Sequence, residues 1–484
     1  MATTVRELTL LEAVRGALRE EMERDPRVVL LGEDIGRMGG VFRATEGLLE
    51  QFGPERVVDT PMAELSIAGI AVGLAMRGLR PVAEIQFADF LHAAADHLLG
   101  EAPKIRYRTA GDSTCPLVVR TAYGGGFRGG PYHSQSVEAA YAHAPGLKVV
   151  APSFPADAKG LLLASIRDPD PVLFLEHKMT YRSIRGPVPE GDTPEELGKA
   201  RLVRDGDAIT ICAWGRMLHE SLAAADLLAG AGIEAAVLDL RTLLPLDRDA
   251  ILRSVRRTGR LCVVHEDTHT MGFGAELAAL AAELAFEQLR MPPLRVTAPD
   301  VAGIPVADAM EDSVLPSAAR IAEAVEVALH AGGSGSTRER RRTAFDASIP
   351  QASSVVEVRG DGRTTHDLLR AVEAACVRHP PCNATFDWSG VTEHPEVVVD
   401  LDLGPLAPPT GAGTITVVDY GVGSSHLALP AVRPGQTAAL RLGAPRGVRS
   451  YLAVSVDHRA VDGAEAGRFL ADVKEVYESD GRPD

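Results

Sequence analysis

The chain has 484 residues and a formal net charge of −16; 45% of its residues are hydrophobic and 24% are charged. This length exceeds one ordinary hydrophobic core, so two or three domains are expected. The acidic balance argues against a nucleic-acid or anionic-membrane partner, since both need clustered Lys and Arg. No apolar stretch reaches the ~18 residues of a transmembrane helix, and the five scattered cysteines indicate a reducing compartment. We therefore expect a cytoplasmic protein.

Apolar strand-like runs alternate with Ala- and Leu-rich helical stretches through residues 1–190. Near the start, the spacing of Thr9 and Glu12 predicts a capping box that opens an amphipathic helix. Such alternation favours an α/β domain whose mostly parallel sheet is covered on both faces. The Pro- and Glu-rich segment Pro187–Glu196 predicts the first break. The predicted strands are Val28–Leu31, Val82–Ile85, Leu117–Arg120, Leu147–Ala151 and Val172–Leu175, and a helix is predicted over Leu65–Met76.

Three further segments are expected after this first domain. Residues 195–330 predict a second α/β domain, residues 331–342 have the composition of a flexible linker, and residues 343–484 predict a third domain. The elements expected in the second domain are strands Ala208–Ala213, Ala235–Leu240, Leu261–His265 and Leu294–Thr297, with helices Leu218–Ala229 and Gly274–Leu289. The third domain is expected to end with strand Tyr451–Val456 and helix Ala464–Tyr477.

Two stretches of the first domain carry residue types suited to catalysis. Glu64 follows an X-Pro turn and precedes a helical run, so its carboxylate either complements the helix dipole or takes part in proton transfer. His133 lies in the glycine-rich loop Tyr123–Ser136, whose glycines predict sharp bends or a close approach to a ligand. The loop is neither a Walker loop nor a dinucleotide fingerprint. From the residues alone, His133 is either a helix-start histidine or a proton donor.

A longer series of short motifs narrows these alternatives. In chain order they are Gly32–Asp34, Thr60–Glu64, Glu84–Phe87, Tyr132–Ser136, Pro145–Val150, Asp157–Gly160, Asp239–Thr242, His265–Asp267 and Gly272–Glu276. Together they resemble the β subunit of the decarboxylating component of 2-oxo acid dehydrogenase complexes, of the branched-chain or pyruvate type, over roughly residues 4–330. The resemblance implies a thiamine-diphosphate-binding pyrimidine domain followed by a transketolase C-terminal-type domain.

The resemblance also assigns roles to individual residues of the first domain. Glu64 matches the glutamate that hydrogen-bonds a ring nitrogen of the cofactor's aminopyrimidine, where a shared proton favours the reactive tautomer. Phe90 matches the aromatic residue that stacks on this ring, and His133 matches the histidine that helps to pass the acyl group to a lipoyl arm. The remaining cofactor contacts implied are Glu33, a buried acid, together with Met62 and Gln86.

Several partners follow from the same resemblance. The thiamine diphosphate site would be shared with an α subunit, which would hold the diphosphate and its Mg²⁺, in a heterotetramer of two α and two β chains. No metal site is expected in this chain itself, and Gly360-Asp-Gly362 with Asn383 is interpreted as a decoy for the diphosphate motif. A lipoyl-bearing acyltransferase and a dihydrolipoyl dehydrogenase would complete the complex, with lipoamide and coenzyme A as co-substrates.

The C-terminal segment carries the pattern His-x-x-x-Asp-Gly at His458 and Asp462. With its flanking residues it resembles the end of the catalytic domain of dihydrolipoyl acyltransferases, an α+β module of the chloramphenicol acetyltransferase type. His458 would then activate coenzyme A or dihydrolipoamide, and Asp462 would fix its loop. The stretch between Asn383 and Thr414 is shorter than in that family, and Val418 stands where a hydroxyl donor is expected. We expect a shortened module that is degenerate in catalysis and used for self-association.

Oxidative decarboxylation of a 2-oxo acid with reductive acylation of lipoamide is the function expected from these residues. Two alternatives stay open on the sequence alone. One is an assembly scaffold, and the other is a carboligase that uses the same thiamine carbanion for carbon–carbon bond formation.

Overall fold

The computed structural model describes residues 4–331 and, beyond them, 351–359, 384–387, 390–393, 399–402, 415–419, 438–442, 449–457, 468–469 and 471–475. The chain divides into two compact units, one of residues 1–298 and 302–335 and the other of residues 299–301 and 336–484. Among the described residues, no helix combines the length and the apolar character needed to cross a bilayer.

The first half of the first unit is built on a seven-stranded sheet that is parallel except at one edge. Apolar side chains cover both of its faces, which confirms the expected doubly covered sheet. The strands of this half are β1 Val5–Thr9, β2 Val28–Gly32, β3 Val57–Asp59, β4 Arg80–Phe87, β5 Val118–Tyr123, β6 Lys148–Val150, β7 Val172–His177 and β8 Arg185–Pro189. The α-helices are α1 Leu10–Arg24, α2 Leu48–Phe52, α3 Glu64–Met76, α4 Ile105–Arg108, α5 Glu138–Ala142, α6 Pro155–Arg167 and α7 Thr180–Ser183. Short 3₁₀ segments occupy Ala88–Ala94, Ala102–Lys104 and Gly130–Tyr132, and a π-helical turn occupies Asp96–Glu101.

The second half carries a five-stranded sheet in the order β14-β13-β10-β11-β9, with β9 antiparallel at its edge. A short strand from this half, β12, pairs with β6 and so extends the first sheet. This pairing joins the two halves through backbone hydrogen bonds. The strands are β9 Arg201–Arg204, β10 Ile209–Ala213, β11 Ala235–Asp239, β12 Thr242–Leu244, β13 Leu261–Thr268 and β14 Leu294–Ala298. The helices are α8 Arg216–Gly230, α9 Arg248–Thr258, α10 Gly274–Leu284, α11 Asp308–Val314 and α12 Ala318–Ala331, with a 3₁₀ turn at Phe286–Gln288.

Two local sequence signals concern β1 and its neighbours: the capping box at Thr9, and the chain break predicted to begin at Pro187. Thr9 and Glu12 form the predicted capping box, with the Thr9 N–H donating to Glu12 Oε2 at 2.7 Å and the Glu12 N–H donating to Thr9 Oγ1 at 3.2 Å. The break predicted from Pro187 begins too early, because residues up to Pro189 continue β8 and pair antiparallel with β1. Prolines are tolerated there since this two-stranded sheet has open edges.

The second unit contains a five-stranded sheet in the order β15-β21-β20-β19-β18 and a separate hairpin of β16 and β17. Strand β21 contains the predicted strand Tyr451–Val456, and residues 468–469 and 471–475 are helical within the predicted final helix. The proposed His458, Asp462, Asn383 and Gly360–Gly362 lie outside the described residues. The strands are β15 Gln351–Arg359, β16 Ala384–Asp387, β17 Gly390–Glu393, β18 Val399–Asp402, β19 Ile415–Asp419, β20 Ala438–Leu442 and β21 Arg449–Asp457.

Candidate active site

Six residues predicted to act in the first domain lie along one edge of the seven-stranded sheet. Strands β5, β4, β2 and β3 are parallel neighbours in that order, so their carboxyl ends open on the same side. Ligand sites of open parallel sheets form at this edge. Each of the four strands delivers at least one predicted residue: Glu33 after β2, Met62 and Glu64 after β3, Gln86 and Phe90 at the end of β4, and His133 in the loop after β5.

The two carboxyl groups of this edge interact with each other. Glu64 is the first residue of α3 and is half-buried. Partial burial raises the pKa of Glu33, and the negative charges of Asp34 and Glu64 raise it further. Glu33 is half-buried in this chain rather than fully buried, because β2 ends just before it and the following Asp34 is exposed. Neighbouring carboxyl groups of this kind can share or relay a proton.

His133 is held by aromatic rings rather than by a salt bridge. Its imidazole meets Phe87 edge-to-face, with ring centroids 4.7 Å apart, and meets Phe90 edge-to-face at 5.5 Å. Phe87 and Phe90 pack against each other at 5.9 Å. The predicted stacking residue and the predicted acyl-transfer histidine are therefore in direct contact. A group stacked on Phe90 would lie beside the imidazole.

Directly below this edge lies a fully buried ion network that the sequence did not reveal. Arg120 on β5 donates to Glu84 on β4 at 2.7 Å and makes two hydrogen bonds of 2.7 Å to Glu176 on β7. The Tyr181 hydroxyl donates to Glu176 at 2.7 Å. Charges inside a sheet persist when they are paired and hydrogen-bonded, as they are here. The network fixes β4, β5 and β7 beneath Gln86, which borders a small cavity lined also by Phe42 and Tyr181.

A partly apolar surface surrounds the candidate site. Large side chains beside Glu64 are exposed, with Met62 at 75%, Leu65 at 50% and Ile70 at 53%. On the glycine-rich loop, Tyr132 is 71% and Phe127 is 44% exposed. Apolar side chains concentrated around a site indicate an interaction surface.

The side chains at this edge of the sheet are chemically suited to bind an aminopyrimidine ring. The carboxylate of Glu64 can accept or share a ring proton, and the Phe90 ring offers a flat face. The Thr60 hydroxyl, in the turn before Glu64, is buried and makes no hydrogen bond within the described part of the chain, so it is free to bind a polar group. These features would fit the aminopyrimidine end of thiamine diphosphate.

Family models match three segments of the chain. Residues 6–183 match the pyrimidine-binding domain of transketolase, residues 198–321 match the transketolase C-terminal domain, and residues 409–481 match the catalytic domain of 2-oxo acid dehydrogenase acyltransferases. These matches and the sheets described above define a transketolase-type pair of domains followed by an acyltransferase-type segment, which confirms the expected fold class.

Comparison with curated proteins identifies the family within this transketolase-type class. The 2-oxoisovalerate dehydrogenase subunit beta of Bacillus subtilis is 52% identical over 304 residues, which are 63% of this chain and 93% of that protein. The pyruvate dehydrogenase E1 component subunit beta of the same organism is 49% identical over 61% of this chain and 90% of that protein. The 2-oxoisovalerate dehydrogenase subunit beta of Pseudomonas aeruginosa is 45% identical over 67% and 95%, respectively. The chain belongs to the family of thiamine-dependent 2-oxo acid dehydrogenase β subunits, and the resemblance inferred from its motifs is confirmed.

A solved structure agrees with this assignment. A split-gene transketolase, described as an inactive β4 tetramer, superposes with a TM-score of 0.55 and 25% identity. The match covers 67% of this chain and 98% of that one.

Proposed function

We propose that the chain forms, with an α subunit, the thiamine-diphosphate-dependent component that decarboxylates a 2-oxo acid and acylates a lipoyl group. The observation that carries this proposal is the convergence of Glu33, Glu64, Phe90 and His133 on one sheet edge. The named relatives favour a dehydrogenase over the carboligase and scaffold alternatives for residues 4–331. They include both branched-chain and pyruvate types, and we propose a 2-oxo acid of one of these two classes as the substrate.

Each residue of the edge has a distinct task in this proposal. Phe90 supports the face of the aminopyrimidine, while Met62 and Gln86 border it. Glu64 holds a proton at a ring nitrogen, and Glu33 lies near it, with a pKa raised by burial and by the charges of Asp34 and Glu64. When bound, thiamine diphosphate would supply a carbon nucleophile for the 2-oxo group and an electron sink for loss of carbon dioxide.

The α subunit completes the site in this proposal. It would bind the diphosphate and its Mg²⁺, and the apolar side chains around Glu64 would pack against it. Two α and two β chains would assemble, and a lipoyl-bearing acyltransferase and a dihydrolipoyl dehydrogenase would act in sequence on the product.

His133 is assigned to the transfer step. The acyl carbon bonds to one sulfur of the lipoyl disulfide, the S–S bond breaks, and the other sulfur leaves as a thiolate that must gain a proton. The acyl carbon gives two electrons to the disulfide and is thereby oxidised, and its bond to the cofactor would break to leave a thioester. The His133 imidazole, held at the rim by Phe87 and Phe90, is placed to give that proton.

Replacing His133 with Gln should separate the two halves of the reaction. In the complex with the α subunit, we expect reductive acylation of a lipoyl domain to fall about 10²- to 10⁴-fold, since general acid catalysis is lost. Decarboxylation coupled to ferricyanide should change much less, because that assay bypasses the lipoyl group. His143→Gln, in the segment after α5, is the matched control. Equal loss in both assays would contradict the assigned role.

The C-terminal module is proposed to cluster the enzyme rather than to transfer acyl groups efficiently. Residues 409–481 match the acyltransferase catalytic domain, but Val418 on β19 has no hydroxyl to offer a tetrahedral intermediate. His458 and Asp462 would keep the base and its partner, and coenzyme A or dihydrolipoamide would be the substrates of any residual activity.

Removal of the module tests this role. A chain that ends at Ala331, co-expressed with the α subunit, should keep ferricyanide-coupled decarboxylation and form a smaller particle than the full-length complex. Mass photometry gives both masses directly. Identical subunit stoichiometry with and without the module would rule out self-association through it.

A further inference from the structure

Charged side chains from elsewhere in the first unit form hydrogen bonds with the first residues of the glycine-rich loop that carries His133. Three consecutive residues, Gly124 to Gly126, each bind such a group through their backbone. The Gly124 N–H closes the loop on the Gln135 carbonyl at 3.0 Å, and the Gln135 N–H donates to Asp89 at 3.2 Å. The hydrogen bond between Gly124 and Gln135 closes the loop at its two ends, so a shift of residues 124–126 would also shift His133.

The first carboxylate is Glu266 on β13, whose side chain is buried. Its Oε2 accepts the Gly125 N–H at 2.7 Å, and its Oε1 lies 3.0 Å from His177 Nε2. His177 Nδ1 accepts the Met179 N–H at 3.3 Å, so Nε2 carries the proton and donates to Glu266. Although burial raises the pKa of Glu266, its electrostatic interaction and hydrogen bond with His177, the charge of Arg216 and the hydrogen bond from the Gly125 N–H lower this pKa to about 2. Glu266 is an ionised acceptor.

The second carboxylate is Glu311 on α11, which is completely buried. It accepts the Gly126 N–H at 2.8 Å and pairs with Arg128 of the same loop. Arg128 also contacts Asp308 at 2.8 Å and Asp312 at 3.0 Å, and both of these side chains are exposed. On the other side of the loop, buried Lys178 donates to the Gly124 carbonyl and lies over the Phe87 ring that touches His133.

The glycines make this close approach possible. An added Cβ would lie 2.0 Å from His177 Nε2 at Gly124 and 2.0 Å from Arg216 Nη1 at Gly126. Both residues have a positive φ, +87° and +83°. A glycine at each position leaves room for the His177 and Arg216 side chains and adopts the left-handed backbone without strain.

Resting on the function proposed above, we propose that Glu266 and Glu311 are positioning residues for acyl transfer. They lie outside the pyrimidine-domain match, within the segment that matches the transketolase C-terminal domain. The second half of the first unit thereby sets the position of His133, which belongs to the first half. The two glutamates accept backbone N–H groups of the loop at 2.7 and 2.8 Å, and hydrogen bonds of this kind resist the opening of a glycine-rich loop.

The test compares Glu311→Gln with Asp312→Asn, two neutral substitutions beside the same arginine. The carboxylate of Glu311 accepts from both Gly126 and Arg128, whereas a Gln amide has one oxygen and leaves one donor unpaired. In the complex with the α subunit, Glu311→Gln should lower reductive acylation of a lipoyl domain at least ten-fold and change ferricyanide-coupled decarboxylation less than two-fold. Asp312→Asn should leave both rates unchanged. Glu266→Gln should behave as Glu311→Gln does.

Hydrogen exchange gives a second readout that does not depend on turnover. The peptide spanning residues 124–136 should exchange at least ten-fold faster in Glu311→Gln than in Asp312→Asn, at equal melting temperature. Unchanged exchange, or an equal loss of both activities, would overturn the proposal. Inactivity of the wild-type complex in the ferricyanide assay would instead defeat the proposed function, and the exchange result would still decide whether the carboxylates hold the loop.

Discussion

Glu64→Gln is expected to lower thiamine-dependent decarboxylation about 10²- to 10⁴-fold, the range typical of a lost general acid–base group. Glutamine preserves the shape of the side chain and its position at the start of α3. It cannot carry the proton that the carboxyl group shares with a ring nitrogen. The rate would be measured as release of carbon dioxide from pyruvate and from 3-methyl-2-oxobutanoate in the complex with the α subunit.

The matched control is Glu50→Gln, an exposed glutamate on α2 in the same domain. It should leave the rate unchanged. Calorimetry with thiamine diphosphate should show that Glu64→Gln still binds the cofactor, more weakly. A Glu64→Gln complex that keeps its full rate would remove Glu64 from the chemistry and leave it as a residue that complements the helix dipole.

Arg120→Met is expected to have the largest effect on stability, a loss of about 3–5 kcal/mol. The substitution removes the hydrogen bonds of Arg120 to Glu84 and Glu176, and leaves two carboxyl groups without their cation inside the sheet. Tyr181→Phe removes a single hydrogen bond of the same network and should cost about 1 kcal/mol. Thermal unfolding followed by circular dichroism measures both.

The Arg120→Met defect should depend on pH with a defined sign. Burial already raises the pKa of Glu84, and removal of the neighbouring guanidinium raises it further. A carboxyl group whose pKa is higher in the folded than in the unfolded state loses its stabilising contribution as pH rises. The deficit relative to the unsubstituted chain should therefore be greater at pH 8 than at pH 5.5. Arg257→Met, which breaks the exposed pair with Asp205, should show no such dependence; a deficit independent of pH would contradict this account of the network.

The strands predicted between residues 28 and 298 overlap observed strands, because their hydrophobic pattern is unambiguous. Continuous apolar runs such as Val172–Leu175 lack the alternation of apolar and polar residues that is typical of a half-buried strand. The observed strand is buried throughout. Helix Gly274–Leu289 was predicted five residues too long, because the apolar pattern continues past Leu284 while the backbone turns into a 3₁₀ segment. Element ends depend on packing that periodicity does not record.

The candidate site was predicted through motifs, and the network beneath it was missed for a physical reason. Arg120 and Glu176 lie inside apolar strands, and such charges signal burial with a partner. The sequence does not show which partners meet, because β4, β5 and β7 are brought together by crossover connections. The contacts of Glu266 and Glu311 with the glycine-rich loop were missed likewise, since each spans more than 140 residues of chain.

Decarboxylation of a 2-oxo acid by the chain alone, by the α subunit alone and by their mixture tests the central claim most directly. With thiamine diphosphate, Mg²⁺ and ferricyanide present, we predict turnover in the mixture and none in either chain by itself. Turnover by this chain alone, or a stable mixture that binds the cofactor and decarboxylates neither pyruvate nor 3-methyl-2-oxobutanoate, would contradict the claim that it is the β subunit of a 2-oxo acid dehydrogenase.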